Sequence, residues 1–120
     1  MKLKILPPTL REKKRYIALK IYSQNRIKKE DITNILWNSI INLYGEIESS
    51  KINLWIIETN EIKNSKRFQQ NVIVKCQRGY EEEAITSFNT IFRQRETRIT
   101  VHTIGTSGTI KSLKQKYNLP

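Results

Sequence analysis

The residues whose types and spacing could do chemistry are concentrated near the C-terminal end, in GTSGTIKSLKQKY, Gly105 to Tyr117. A glycine-rich turn that leads from a strand into a helix offers free backbone N–H groups to an anion. Ser107 and Thr109 flank Gly108 with hydroxyl donors, and Lys111 and Lys114 follow with charge. The chemistry this suggests is phosphate binding without nucleotide hydrolysis. The glycines stand three apart, and no lysine falls where the phosphate loop G-x-x-x-x-G-K-[ST] requires it. Capping accounts for the same residues, with Ser107 as N-cap and Ile110, Leu113 and Tyr117 as a packing stripe. The two readings are compatible, because a backbone oxygen of a nucleic acid can occupy a capped helix start.

A second group lies at the other end of the chain. TLREKKRY places Arg11, Lys13, Lys14 and Arg15 within five positions and ends on the aromatic Tyr16. Pro7 and Pro8 hold the preceding backbone extended, so these side chains can follow a phosphate track as a basic arm. The overall charge agrees: 22 Lys and Arg against 11 Asp and Glu leave the 120-residue chain at +11. That is the electrostatic footprint of a nucleic-acid partner. Residues 1–30 hold ten basic and two acidic side chains, 31–92 six and eight, and 93–120 six and one. The ends are basic and the middle is near neutral, whereas a surface built only for solubility intersperses its signs.

Catalytic groups are scarce. Two-metal cleavage of a phosphodiester needs several carboxylates converging on the ions. Asp31 is the one aspartate, and the run Glu81, Glu82, Glu83 sits where a helix start wants negative charge. General acid and base work would rest on His102 alone. Cys76, the single cysteine, alternates with Val72 and Val74 on the core side of a strand and is expected to be inert. One cysteine also excludes zinc fingers and internal disulfides and fits a reducing cytosol. The chain is expected to carry no catalytic or metal-ligating residue and no cofactor. No apolar run approaches the ~20 residues of a membrane span, and MKLKILPPTL lacks the apolar stretch of a secretory signal. A cytoplasmic location without membrane contact is expected.

The elements that must position these groups follow from periodicity. RYIALKIY, Arg15 to Tyr22, alternates Ile17, Leu19 and Ile21 against Tyr16, Ala18, Lys20 and Tyr22, as a half-buried strand does. KKEDITNILWNSIINLYGE repeats apolar residues at three and four spacing, with Glu30 and Asp31 at its start and Gly45 at its expected end. KINLWIIE, Lys51 to Glu58, and NVIVKC, Asn71 to Cys76, read as strands. The polar TNEIKNSKRFQQ between them is either a mobile excursion or an extension of the hairpin, and its Lys63, Lys66 and Arg67 can reach a phosphate. YEEEAITSFNTIF predicts a helix with Ala84, Ile85, Phe88, Ile91 and Phe92 on one stripe. RITVHTI predicts a strand that the glycines after Ile104 interrupt, and a short third helix closes the chain.

The order β, α, β, β, α, β plus a terminal helix predicts an α+β fold. It is the ferredoxin-like split βαβ arrangement, with two helices over one face of an antiparallel sheet and the other face open. A single domain, 1–120, is expected, made of a basic arm (1–14), a split βαβ core (15–104) and a glycine-rich turn with the last helix (105–120). The apolar arc of the first helix spans about 240°, where one core-facing stripe needs about 100°. Trp37, Ile41 and Tyr44 are therefore expected to form a second apolar face, covered by a protein partner or by the N-terminal arm.

LPPTLREKKRYIALKI (Leu6 to Ile21), ILWNSIINLYGE (Ile35 to Glu46) and HTIGTSGTIKSLKQKY (His102 to Tyr117) together resemble the archaeal ribonuclease P protein component 2 family. The resemblance covers most of the chain and is weakest from about Thr59 to Gln70. It implies an RNA-recognition-like fold in a ribonucleoprotein that removes the 5′ leader of precursor tRNA. In that family the RNA component is catalytic and carries the Mg2+. The protein pairs with a TIM-barrel-like subunit in a heterotetramer, and meets precursor tRNA only indirectly. Here NVIVKCQR lacks the aromatics and glycines of the RNA-recognition signature K/R-G-F/Y-G/A-F-V-x-F/Y, so RNA contact is expected at the arm and the third helix, without base stacking on the sheet. A ribosomal or other structural RNA-binding protein of the same fold is the alternative.

Overall fold

The structure, a computed structural model, describes residues 14–63, 68–94 and 97–119. Alternating apolar residues place β1 (Lys14–Ser23) at the centre of the sheet, where Ile17, Leu19 and Ile21 are fully buried. The helix α1 (Lys29–Ile52) carries Glu30 and Asp31 in its first turn. The strands β2 (Trp55–Lys63) and β3 (Phe68–Gln77) form a hairpin, and α2 (Glu81–Phe88) follows. A two-residue strand β4 (Arg93–Gln94) leads into β5 (Thr97–Ser107), and α3 (Ile110–Tyr117) closes the chain. The sheet order is β2-β3-β1-β5-β4, with every pairing antiparallel. Leaving aside β4, which only extends the edge at Arg98 and Thr97, this is the split βαβ topology.

Two apolar clusters hold the layers together. Ile17, Leu19, Val72, Val74 and Cys76 on one sheet face meet Ile32, Leu36 and Ile40 of α1 and Ala84 and Phe88 of α2, all with no exposed surface. On the opposite face Ala18 and Ile73 meet Leu113 of α3, with Tyr16, Ile57, Ile104, Tyr117 and Leu119 packed around them. The second face was expected to stand open. Instead α3 lies across part of it, because Ile110, Leu113 and Tyr117 are apolar at helical spacing and need a surface to cover.

Several boundaries differ from the periodicity reading. Gly45 leaves the helical region (φ 79, ψ 175), but α1 kinks there and resumes to Ile52 instead of ending. Lys51 and Ile52 are therefore helical, and β2 starts only at Trp55. The strand-forming sequence KINL yields because Ile52 and Leu54 bury in the core while Asn53 caps the helix in the left-handed region, its N–H donating to the Ser49 carbonyl at 3.1 Å. The described residues of the polar stretch 59–70 extend the hairpin, since β2 runs to Lys63 and β3 begins at Phe68. Lys66 and Arg67 lie outside the described residues. The helix α2 stops at Phe88, where a turn in which Ile91 N–H donates to the Phe88 carbonyl ends the stripe; Phe92 is left 64% exposed. Gly105 does not break β5, which pairs with β1 through to Ser107 past an irregularity at Ala18 and Leu19.

Candidate nucleic-acid interface

The antiparallel register of β1 and β3 sets Lys14 opposite Gln77, so the start of the central strand meets the turn that follows β3. Lys14 Nζ donates to Gln77 Oε1 at 2.6 Å. Arg78 follows in that turn, and the loop into α3 arrives from the other side of β1, where Tyr16 pairs with Ser107. The result is an open hollow of about 320 Å³ lined by Lys14, Arg15, Arg78 and Gly108. Three cations from two strand ends thus surround a glycine.

The hollow is organised as well as charged. Arg15 Nε lies 3.5 Å from Glu81 Oε1, and Glu81 Oε2 accepts the Gly79 N–H at 3.0 Å. The first carboxylate of α2 therefore complements its own helix start and also orients a guanidinium over the hollow. A β-carbon at Gly108 would sit 3.5 Å from Arg15 Nη1, so the guanidinium lies directly against the turn. Such a fork beside a second guanidinium and an ammonium suits phosphate oxygens, which Arg can grip bidentately.

The sequence-derived positions fall into three groups. Lys14, Arg15 and Gly108 come together, joined by Arg78, which the sequence reading missed. Its signal, an arginine before the turn glycine in CQRGY, is legible only once β1 and β3 are in register. Arg11 and Lys13 lie outside the described residues. In the last segment the helix cap is Thr109, whose Oγ1 accepts the Ser112 N–H at 3.1 Å; Ser107, expected in that role, is still in β5 and half-buried. Lys111 is exposed on the first turn of α3. Lys114 turns the other way, with Nζ 2.7 Å from Glu58 Oε1, and pins α3 to the edge strand β2. Trp37 and Tyr44 pack against the main core cluster, and of the expected second apolar face only Ile41 is exposed, at 37%.

Among the described residues no group of three His, Cys, Asp or Glu side chains could hold a metal ion. Cys76 is buried and unbridged, and burial, with Glu81 and Glu83 nearby, pushes its thiol up to about 12. It is a packed thiol and no nucleophile. No described helix is long and apolar enough to cross a membrane. What the arrangement can do chemically is hold anions.

The family model described as Rpp14/Pop5 family matches residues 15–118. The chain is 40% identical over 116 residues to Ribonuclease P protein component 2 of Methanobrevibacter smithii, covering 96% of this chain and 97% of that one. It is 35% identical over 118 residues to the protein of the same name from Methanothermobacter thermautotrophicus (98% and 95% covered). The corresponding protein of Pyrococcus furiosus is 36% identical over 114 residues (95% and 90% covered). A de novo designed ferredoxin-fold protein solved by NMR superposes with a TM-score of 0.38 at 15% identity, over 79% of this chain and 92% of that one.

Proposed function

The chain belongs to the Rpp14/Pop5 family, and from that premise we propose that it is an RNA-binding protein subunit of ribonuclease P, supporting the catalytic RNA that removes 5′ leaders from precursor tRNA. The observation that carries the reading is the hollow in which Lys14, Arg15 and Arg78 surround Gly108, a site shaped for phosphate, with no metal-binding carboxylate cluster among the described residues. The protein contributes charge and shape, and the reaction takes place on the RNA, with Mg2+ held there.

The mechanism is electrostatic screening. Folding a large RNA into a catalytic shape brings phosphates close together, and each Lys or Arg that neutralises one releases condensed counterions. A rigid sheet end that presents three cations does so at low ordering cost, since Arg15 is already tied to Glu81. Arg11 and Lys13 closely precede Lys14 in the sequence and add to the charge of this end of the chain, and Lys111 adds charge beside the turn. A TIM-barrel-like protein subunit in a heterotetramer, indirect contact with precursor tRNA, and a cytoplasmic location complete the proposal.

Reconstitution tests it. The purified chain, added with its partner proteins to a ribonuclease P RNA, is expected to raise precursor-tRNA cleavage at low Mg2+ and to cut nothing without that RNA. Cleavage by the protein alone, or no effect on the RNA-catalysed rate, would overturn the reading. The second result would favour a ribosomal or other structural role.

A further inference from the structure

α3 covers only one end of the second sheet face. Its contacts are with Ala18, Ile73, Ile104 and their neighbours. Four residues further along β1, about 13 Å at 3.3 Å per residue, stands Tyr22, beyond the helix. There the sheet presents a hollow of about 280 Å³ lined by Tyr22, Ser23, Gln24, Arg98 and Thr100. The register sets Tyr22 against Thr100 and Lys20 against His102, so all four side chains share this face. By the same alternation, no carboxylate among the described residues stands on this face of β1, β3 or β5; the one on β2, Glu58, is engaged by Lys114.

An aromatic ring flanked by Lys20 and Arg98, in a hollow just below the roughly 300 Å³ at which small-molecule pockets begin, matches a single planar ring on a charged strand. Unpaired bases of RNA stack on such rings, while cations beside the ring meet the backbone. A protein surface would seek apolar area around the ring, and here the neighbours are Thr100, Gln24 and Arg98. We propose that the uncovered half of the sheet face holds one unpaired nucleotide of RNA, its base stacked on Tyr22 and its flanking phosphates reached by Lys20 and Arg98. This rests on the reading of the chain as an RNA-binding subunit and adds a second contact to it. The expectation that the sheet takes no base came from the segment NVIVKCQR, residues 71–78, which lacks aromatics; the ring is supplied by β1. Tyr22 lies eight residues, about 26 Å, from Lys14, so the two sites grip separate stretches of RNA and their effects add.

The test uses the full chain with a short unstructured oligouridylate that carries one 2-aminopurine, and with an RNA duplex as control. Stacking on Tyr22 is expected to quench the 2-aminopurine. Tyr22→Leu keeps the apolar bulk and is expected to weaken the single strand about tenfold, to lose the quench and to leave the duplex unchanged; Tyr22→Phe retains all three. Far-UV circular dichroism confirms that each variant is folded. The proposal is overturned if Tyr22→Leu binds the oligouridylate as the parent does, if duplex and single strand weaken equally, or if the substitution instead releases a protein partner. A parent chain that ignores the oligouridylate yet restores cleavage to a ribonuclease P RNA would remove the stacking site alone. Failure in both assays would remove the functional reading as well.

Discussion

A methyl group at Gly105 would run into the ring of Tyr117, although the backbone there is ordinary strand. The glycine is required by what lies over it: the aromatic end of α3 seats directly on the β5 backbone. Gly105→Ala is expected to destabilise the fold by about 1–3 kcal/mol, measured by urea denaturation, and Tyr117→Ala in the same chain should remove most of that added cost. Additive losses would show that the two residues do not interlock. Cys76 makes a different residue-scale prediction. Its thiol is held at about 12 in the folded chain, against 9.0 for an unperturbed cysteine, first by burial and then by Glu81 and Glu83. The folded state therefore keeps a proton that the unfolded state loses above pH 9. That stabilisation is complete below pH 9 and declines as pH rises toward 12. Urea midpoints followed across this window should fall less steeply for Cys76→Ala than for the parent chain.

At the scale of elements, the kink in α1 sets where β2 begins. A β-carbon at Gly45 would meet nothing within 4 Å, yet φ 79 with ψ 175 is a conformation that only glycine adopts readily. Gly45→Ala is thus expected to cost about 1–3 kcal/mol through backbone strain alone, read as a lower urea midpoint. An unchanged midpoint would mean that the helix straightens without penalty. The sequence offered the glycine and its conformation but not its consequence. Helix signals after it were weak, and the decision to resume the helix was made by Ile52 and Leu54 reaching the core. α3 shows the same division. Its period was legible from Ile110, Leu113 and Tyr117, but its cap is Thr109 where Ser107 was expected, and its seat on the sheet depends on Leu113 meeting Ala18 and Ile73 and on Lys114 meeting Glu58.

For the whole molecule, the charge asymmetry of the sequence becomes a place. Lys14, Arg15 and Arg78 converge at one end of the sheet, and each phosphate they neutralise adds about 0.7 to 0.9 to the slope of log affinity against log salt. Replacing all three by Gln should weaken binding to ribonuclease P RNA and reduce that slope by about 2, measured by filter binding between low and moderate salt. An unchanged slope would reject the hollow as a phosphate site. The fold should survive, because the Arg15 pair with Glu81 is partly exposed and such pairs contribute little to stability.

Read by itself, the sequence determined the order and kind of the elements, the split βαβ topology they imply, the scarcity of carboxylates and the basic ends. Those properties come from local periodicity, composition and chain connectivity, which neighbouring residues carry. Only the tertiary structure decided that α3 covers half of the second face, that Arg78 joins Lys14 and Arg15, that Lys114 is spent on Glu58, and that Tyr22 is left uncovered beside Arg98. Each of these joins residues far apart in the chain, and their meeting is set by strand register and by which apolar surface a helix finds to bury.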